Sequence, residues 1–158
     1  MKRPSFLSKL RKEGKLELVA PSEEICSSYL DKADNCLKSA RILLRNDLFE
    51  NSVSMSYYTM YNALTALLFK IGVKCENHSG SIMLLRRLFK RTDLYKTISY
   101  AKRERIDKQY YLDLTLTKDS AQDLLKKAED FLVDLKVVIK SISNEDVQRL
   151  RRNFEQMV

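Results

Sequence analysis

The feature that most constrains the fold is a run of nineteen residues, from Asn51 to Phe69, without a single charged side chain. Lys, Arg, Asp and Glu make up 32% of the whole sequence, so this run indicates a segment that is buried on most of its sides. It is poorly suited to a membrane span, because its Ser, Thr and Asn side chains and its tyrosines would lose their hydration in lipid. We therefore predict that it forms the central helix of a bundle.

The size of the chain and its few helix-breaking residues favour one all-α domain. A chain of 158 residues can bury about two thirds of its unfolded surface around a single core. Only three glycines and two prolines are present, and both prolines, Pro4 and Pro21, lie near the N-terminus. Little after Pro21 interrupts a helix, so we expect helices through the rest of the chain.

The cysteines and the N-terminal sequence indicate a reduced, cytoplasmic protein. Cys26, Cys36 and Cys75 are odd in number and form no CxxC pair, and with one histidine they are too few for a structural zinc site. The basic segment from Met1 to Gly14 has no apolar stretch of the length that a signal peptide needs. We expect no bound metal, no membrane association and a cytoplasmic location.

Helical periodicity divides the chain into three parts. Residues 1–21 are predicted to form an N-terminal arm, with a short helix followed by an extended stretch. Residues 22–142 carry the long apolar stripes of the helical bundle. Residues 143–158 are predicted to form a short polar tail helix.

The helices of the predicted bundle have recognisable starts and ends. Ser22 is predicted to cap the first long helix, and Thr117 is predicted to cap the last one. Gly72 follows the final apolar residue of the central helix and is predicted to end it. A short apolar helix is expected from Ser81 to Phe89.

Two tyrosines of the central helix are candidate site residues. Tyr57 and Tyr61 are one turn apart, which places their phenol groups together on one side of a buried helix. Each buried hydroxyl needs a hydrogen-bond partner. The alternative is that both rings only pack in the core.

His78 is the only histidine, and its ordinary pKa suits proton transfer near neutral pH. It is followed by Ser79 and Gly80, and we predict that this polar segment is a loop between two helices that a ligand could approach. The alternative is a histidine that caps a helix or lies on the surface, because the spacing fixes no acid or base partner for it.

The charge distribution favours an anionic partner. The formal net charge is +8, and the segment from Arg86 to Arg105 contains eight basic residues against two acids. Such a segment can bind phosphate groups, or it can be a solvated helix face. The sequence has no glycine-rich phosphate loop, nucleophile elbow, HExxH motif or acidic cluster spaced for a metal, which disfavours the common enzyme classes.

The order of several weak motifs along the chain is that of a known family. The matching features are Ala33 and Ala40 in a long helix, the segment from Ser54 to Ala63, Leu67-Leu68, Gly72, and His78-Ser79-Gly80. This arrangement resembles the HEPN domain family from about Glu23 to Ser141. The segment from Arg105 to Tyr110 is similar to the Arg-x-x-Ala-Asp-Tyr segment of that family, but its Ile and Asp are displaced.

The resemblance implies an up-and-down bundle of four or five helices, usually dimeric and often encoded beside a minimal nucleotidyltransferase. Some members of the family are metal-independent ribonuclease toxins with an R-x(4-6)-H motif, and others act as nucleotide-binding or accessory subunits. Here the nearest arginine before His78 is Arg45, 33 positions away, so the motif is absent. The arginines that could reach His78 from another helix are Arg86, Arg87, Arg103 and Arg105.

The leading hypothesis is therefore a HEPN-type nucleotide-binding or accessory subunit. It would be a homodimer that acts with a nucleotidyltransferase in a module of the toxin–antitoxin kind, with a nucleotide or RNA as ligand and no other cofactor. The residues predicted to surround the ligand are His78, Tyr57, Tyr61, Arg105 and Tyr110.

Two alternatives remain open at this point. The first is a metal-independent endoribonuclease in which His78 is the catalytic general acid or base and an arginine stabilises the phosphate. The second is a structural oligomeric adaptor that associates through its apolar central helix.

Overall fold

The computed structural model describes residues 3–110 and 116–158, with the side chains of residues 3–106 and 116–158, and it is largely helical. The predicted all-α, up-and-down bundle is confirmed. The helices are α1 (Phe6–Lys12), α2 (Glu23–Arg45), α3 (Phe49–Ile71), α4 (His78–Arg87), α5 (Thr92–Tyr110), α6 (Lys118–Ser141) and α7 (Asn144–Met157). Two short strands are β1 (Leu16–Leu18) and β2 (Val73–Cys75).

The charge-free run forms α3, which lies at the centre of the bundle as predicted. It packs against α2, α5 and α6, and more lightly against α4 and α7. Side chains on more than one of its faces are fully buried, including Tyr57, Leu64 and Ala66. A charge at these positions would have to be desolvated without a partner, which explains why the run contains none.

The predicted helix ends are present in the structure. The Oγ of Ser22 accepts a hydrogen bond from the Ile25 N–H at 3.1 Å, and Thr117 caps α6 through Ser120. Gly72 follows α3 with φ +75°, a left-handed conformation that favours glycine.

The N-terminal residues pack into the same core as the bundle. Leu7, Leu10 and Leu16 are buried, and β1 pairs antiparallel with β2, placing Leu16 opposite Cys75. The sequence predicted an extended stretch here but not its partner strand. The division into arm, bundle and tail stays a prediction about domains.

The C-terminal helix α7 is amphipathic and also joins the core. Leu150 and Phe154 are buried. The Nη1 of Arg151 lies 2.8 Å from the carbonyl oxygen of Val19 and 3.0 Å from those of Ile71 and Gly72. This guanidinium thereby supplies donors to carbonyls at the end of α3, where intrahelical donors run out. Within the described residues, no helix has the length and apolar character needed to cross a membrane.

Candidate functional site

The polar contacts between α3 and α4 bring three of the predicted site residues together. The Tyr57 hydroxyl lies 2.7 Å from Nδ1 of His78. The imidazole of His78 stacks on the ring of Tyr61, with 3.8 Å between ring centroids and 14° between ring planes. The Tyr61 hydroxyl is 3.4 Å from the Oγ of Ser81. We refer to His78, Tyr57, Tyr61, Lys102 and Arg105 as the His78 cluster.

The prediction that His78 lies in a loop is wrong, because His78 is the first residue of α4. The side chain of Asn77 caps this helix by accepting a hydrogen bond from the Gly80 N–H at 2.8 Å. The residues after the cap are His, Ser and Gly, whose low helix propensity hid the start of the helix in the sequence. A fixed position in the first turn gives the imidazole a defined direction toward α3.

Tyr57 determines which nitrogen of His78 carries the proton. Its side chain is 0% exposed, and burial raises the pKa of the phenol, which therefore stays protonated. A buried phenol needs an acceptor for that proton, and within the described residues its hydrogen bond goes to Nδ1 of His78. We therefore assign Tyr57 as donor and Nδ1 as acceptor, which leaves the proton of neutral His78 on Nε2.

Two cations from α5 complete the His78 cluster. The guanidinium carbon of Arg105 lies 5.5 Å from the ring centroid of Tyr57 and 5.0 Å from that of Tyr58. Lys102 donates a hydrogen bond from Nζ to the Oγ of Ser79 at 2.6 Å. Of the four arginines that the sequence offered, Arg105 is the one that reaches the site. Lys102 was missed, and the signal that could have found it is its i, i+3 spacing from Arg105.

The local electrostatic environment disfavours additional positive charge. Burial, followed by the charges of Lys102 and Arg105, lowers the pKa of His78. Burial and the charge of Arg105 likewise lower the pKa of Lys102. The buried Nε of Arg105 has no hydrogen-bond partner among the described residues. An anion bound here would relieve the repulsion and could accept from these donors.

The predicted tyrosine site residues differ in their exposure to solvent. Tyr57 is fully buried and faces the cluster through its hydroxyl, whereas Tyr61 is half-buried beneath the imidazole. Tyr110 lies outside the residues whose side chains are described. The roles of these residues in binding a ligand stay predictions.

The pKa of His78 is directly measurable because the chain has one histidine. In an NMR titration we expect a pKa below the ordinary value of about 6.5. The Lys102→Ala variant should raise it, because a nearby cation that disfavours the imidazolium is removed. Since the folded pKa is lowered, the free energy of unfolding should fall as the pH drops from about 6.5 through the folded value.

The matched control for this titration is Lys38→Ala, which removes an exposed lysine on α2 and should leave the His78 pKa unchanged. A wild-type pKa at or above the ordinary value would contradict the arrangement of charges around His78. The same conclusion would follow if Lys102→Ala and Lys38→Ala gave equal pKa values.

Comparison with known proteins gives a family match over most of the chain. The HEPN domain model matches residues 26–138. A UPF0332 protein of Thermotoga maritima is 26% identical over 125 residues, covering 76% of this chain and 95% of that protein. A Methanocaldococcus jannaschii protein named "Putative toxin MJ0605" is 28% identical over 127 residues, covering 76% of this chain and 92% of that protein. Another from the same organism, "Putative toxin MJ0142", is 27% identical over 108 residues, covering 65% and 74%.

Proposed function

This chain belongs to the HEPN domain family, and from that premise we propose that it is a nucleotide-binding accessory subunit that holds a phosphate group at the His78 cluster. Its partner in this role is a minimal nucleotidyltransferase, in a module of the toxin–antitoxin kind. The names of the two Methanocaldococcus jannaschii relatives support the toxin–antitoxin setting.

The observation that carries this proposal is the convergence of donors at one place. Lys102 and Arg105 supply positive charge, and His78 supplies an Nε2–H that remains on the neutral ring. A phosphate oxygen accepts hydrogen bonds from all three kinds of donor. The lowered pKa of Lys102 and the Nε of Arg105, which has no partner in the described part of the chain, are both consistent with a site that binds an anion.

The same geometry favours binding over general-base catalysis. A histidine that removes a proton from an RNA 2′-hydroxyl needs an unprotonated nitrogen facing the substrate. In the assigned tautomer, Nδ1 accepts from Tyr57 and Nε2 carries the proton, so the neutral ring offers a donor. We therefore rank an accessory role above the ribonuclease.

Homodimer formation is part of the proposal and is supported by one surface. Between Asn51 and Phe69, the partly exposed side of α3 carries no charge although the chain as a whole is highly charged. Beside it, a groove of about 430 Å³ between α2 and α3 includes the exposed Ile42 and the thioether of Met55. Each chain has a net charge of +8, so two chains repel each other least when they meet through this uncharged surface. Light scattering that shows a monomer at micromolar concentration would remove the dimer from the proposal.

Calorimetric titration with ATP, GTP and short RNAs tests the binding site. We expect saturable binding to at least one of them and a loss of about 10- to 100-fold in affinity for Arg105→Ala, because a charge-assisted hydrogen bond contributes about 1.5–3 kcal/mol. Lys102→Ala should weaken binding similarly. The matched control is Arg45→Ala, which removes an exposed arginine from α2.

Absence of saturable heat with every ligand would contradict the proposal, as would equal affinities of Arg105→Ala and Arg45→Ala. Thermal denaturation of each variant shows whether a loss of binding comes from unfolding. Co-purification with a minimal nucleotidyltransferase tests the partner separately.

A ribonuclease is the second candidate, favoured by the proximity of Lys102 and Arg105 to His78. These cations could stabilise a pentavalent phosphate even though the sequence motif is absent. This candidate requires RNA cleavage in EDTA that disappears in His78→Ala. Equal cleavage by that variant would identify a contaminating nuclease.

A further inference from the structure

Two side-chain contacts join α4 to α5 at different positions along the helix axes. The first is the hydrogen bond of 2.6 Å from Lys102 to Ser79, at the edge of the His78 cluster. In the second, the guanidinium carbon of Arg86 lies 4.3 Å above the ring centroid of Tyr95. Arg86 and Ser79 are exposed, and Tyr95 and Lys102 are half-buried. Both contacts are therefore open to a ligand from solution.

Helix geometry places the two contacts on the same face. Ser79 and Arg86 are seven residues apart on α4, and Tyr95 and Lys102 are seven residues apart on α5. Seven residues make about two helical turns, so each pair lies on one side of its helix, about 10 Å apart along the axis. The pairing of Ser79 with Lys102 and of Arg86 with Tyr95 means that α4 and α5 run antiparallel.

The acidic side chains that the structure describes on α4 and α5 lie away from this face. Helix α4 contains no Asp or Glu. On α5, Asp93 shares an arginine with Asp134 of α6, which places it on the α6 side. Glu104 lies one helical turn after Tyr100, whose ring centroid is 5.3 Å from the Nζ of Lys127 on α6. These two acids are therefore on the side of α5 that faces α6, and a polyanion on the α4 side would avoid them. The side chain of Asp107, the third acid of α5, lies outside the described residues.

We propose that the α4–α5 groove is a binding track for a single-stranded polynucleotide, extending from the His78 cluster to the Arg86–Tyr95 pair. The residues of this track are Ser79, Met83, Arg86, Tyr95, Ser99 and Lys102. The proposal rests on the proposed function, because the His78 cluster holds one phosphate of the strand. It deepens that function by assigning a strand, rather than a mononucleotide, as the ligand.

The dimensions of the track set the length of the strand. A stacked strand advances about 3.4 Å per nucleotide, so the span of about 10 Å corresponds to about three nucleotides. The guanidinium of Arg86 already lies over Tyr95, with 4.3 Å between its carbon and the ring centroid, and it can stack on a base while its charge attracts a phosphate. Binding therefore requires little reordering of this side chain.

The test is a calorimetric series with UMP and with oligouridylates of two, three and five nucleotides. We expect affinity to rise by at least 10-fold between the mononucleotide and the trinucleotide and then to level off. Arg86→Ala should lower trinucleotide affinity about 10-fold and reduce the salt slope by about 1, while leaving UMP affinity within about 2-fold. Lys102→Ala should weaken both ligands, and Arg45→Ala should affect neither.

Each outcome separates this inference from the proposed function. If UMP binds and depends on Lys102 but affinity does not rise with length, the track is overturned and the phosphate site stands. If the oligomers bind with dependence on Arg86 but not on Lys102, the strand does not reach the His78 cluster, and both proposals are overturned. Parallel titrations with oligothymidylates show whether the strand is RNA or DNA. If a polyglutamate peptide bound with the same affinity as the oligonucleotides, and if that binding depended on Arg86, the assignment to a polynucleotide would be overturned.

Discussion

Replacing Gly72 with alanine is expected to lower the free energy of unfolding by about 2–5 kcal/mol. A Cβ at this position would lie 2.3 Å from the carbonyl oxygen of Val19 and 2.8 Å from the backbone nitrogen of Pro21. An alanine in the left-handed conformation costs about 1–2 kcal/mol. The clash adds about 1–3 kcal/mol, because the backbone atoms cannot move away without disturbing the start of α2. Urea unfolding followed by circular dichroism measures the change.

Gly14→Ala is the matched control for this substitution. Gly14 also has a left-handed backbone, with φ +72°, but no atom lies within 4 Å of a Cβ added there. It should therefore cost only the conformational strain of about 1–2 kcal/mol. Equal losses of stability in the two variants would contradict the close approach of Val19 to Gly72.

Replacing Phe154 with alanine is expected to cost about 3–5 kcal/mol, the range for a large aromatic side chain removed from a core. Phe154 is fully buried on α7, and the guanidinium carbon of Arg11 on α1 lies 5.6 Å from its ring centroid. Because the ring belongs to the single core, unfolding of the variant should remain one cooperative transition at lower urea concentration.

The control for Phe154→Ala is Val133→Ala, whose side chain on α6 is 63% exposed. It should change stability by no more than about 0.5 kcal/mol. A separate early transition in wild-type protein, or a loss below about 1 kcal/mol in Phe154→Ala, would show that α7 is a tail rather than part of the bundle.

The long helices could be predicted from the sequence because their signals are local. The polar cap at Ser22, the glycine at Gly72 and the threonine at Thr117 each act within one turn of the helix end they define. The pairing of Leu16 with Cys75 could not be predicted in this way, since it joins positions 59 residues apart. Strands of three residues also carry too little pattern to reveal a partner.

Only part of the candidate site could be predicted from the sequence. Tyr57, Tyr61 and His78 could be identified because a charge-free run and a single histidine are rare features in a highly charged chain. Lys102 could not, because it is one of many lysines, and its importance comes from the packing of α4 on α5. Arg105 was suggested by the family resemblance, whereas its position over Tyr57 and Tyr58 required the tertiary structure.

The position of Arg151 has a consequence for synthesis on the ribosome. The carbonyl of Val19 leaves the exit tunnel early, yet the guanidinium that binds it is added 132 residues later. Until Arg151 emerges, the carbonyls of Val19 and Ile71 lack this donor, whereas that of Gly72 can already accept from the Val19 N–H at 2.8 Å. The contacts of Arg151 can therefore form only after residue 151 has left the ribosome, and a chain stalled before Arg151 would present an incomplete core to chaperones and proteases.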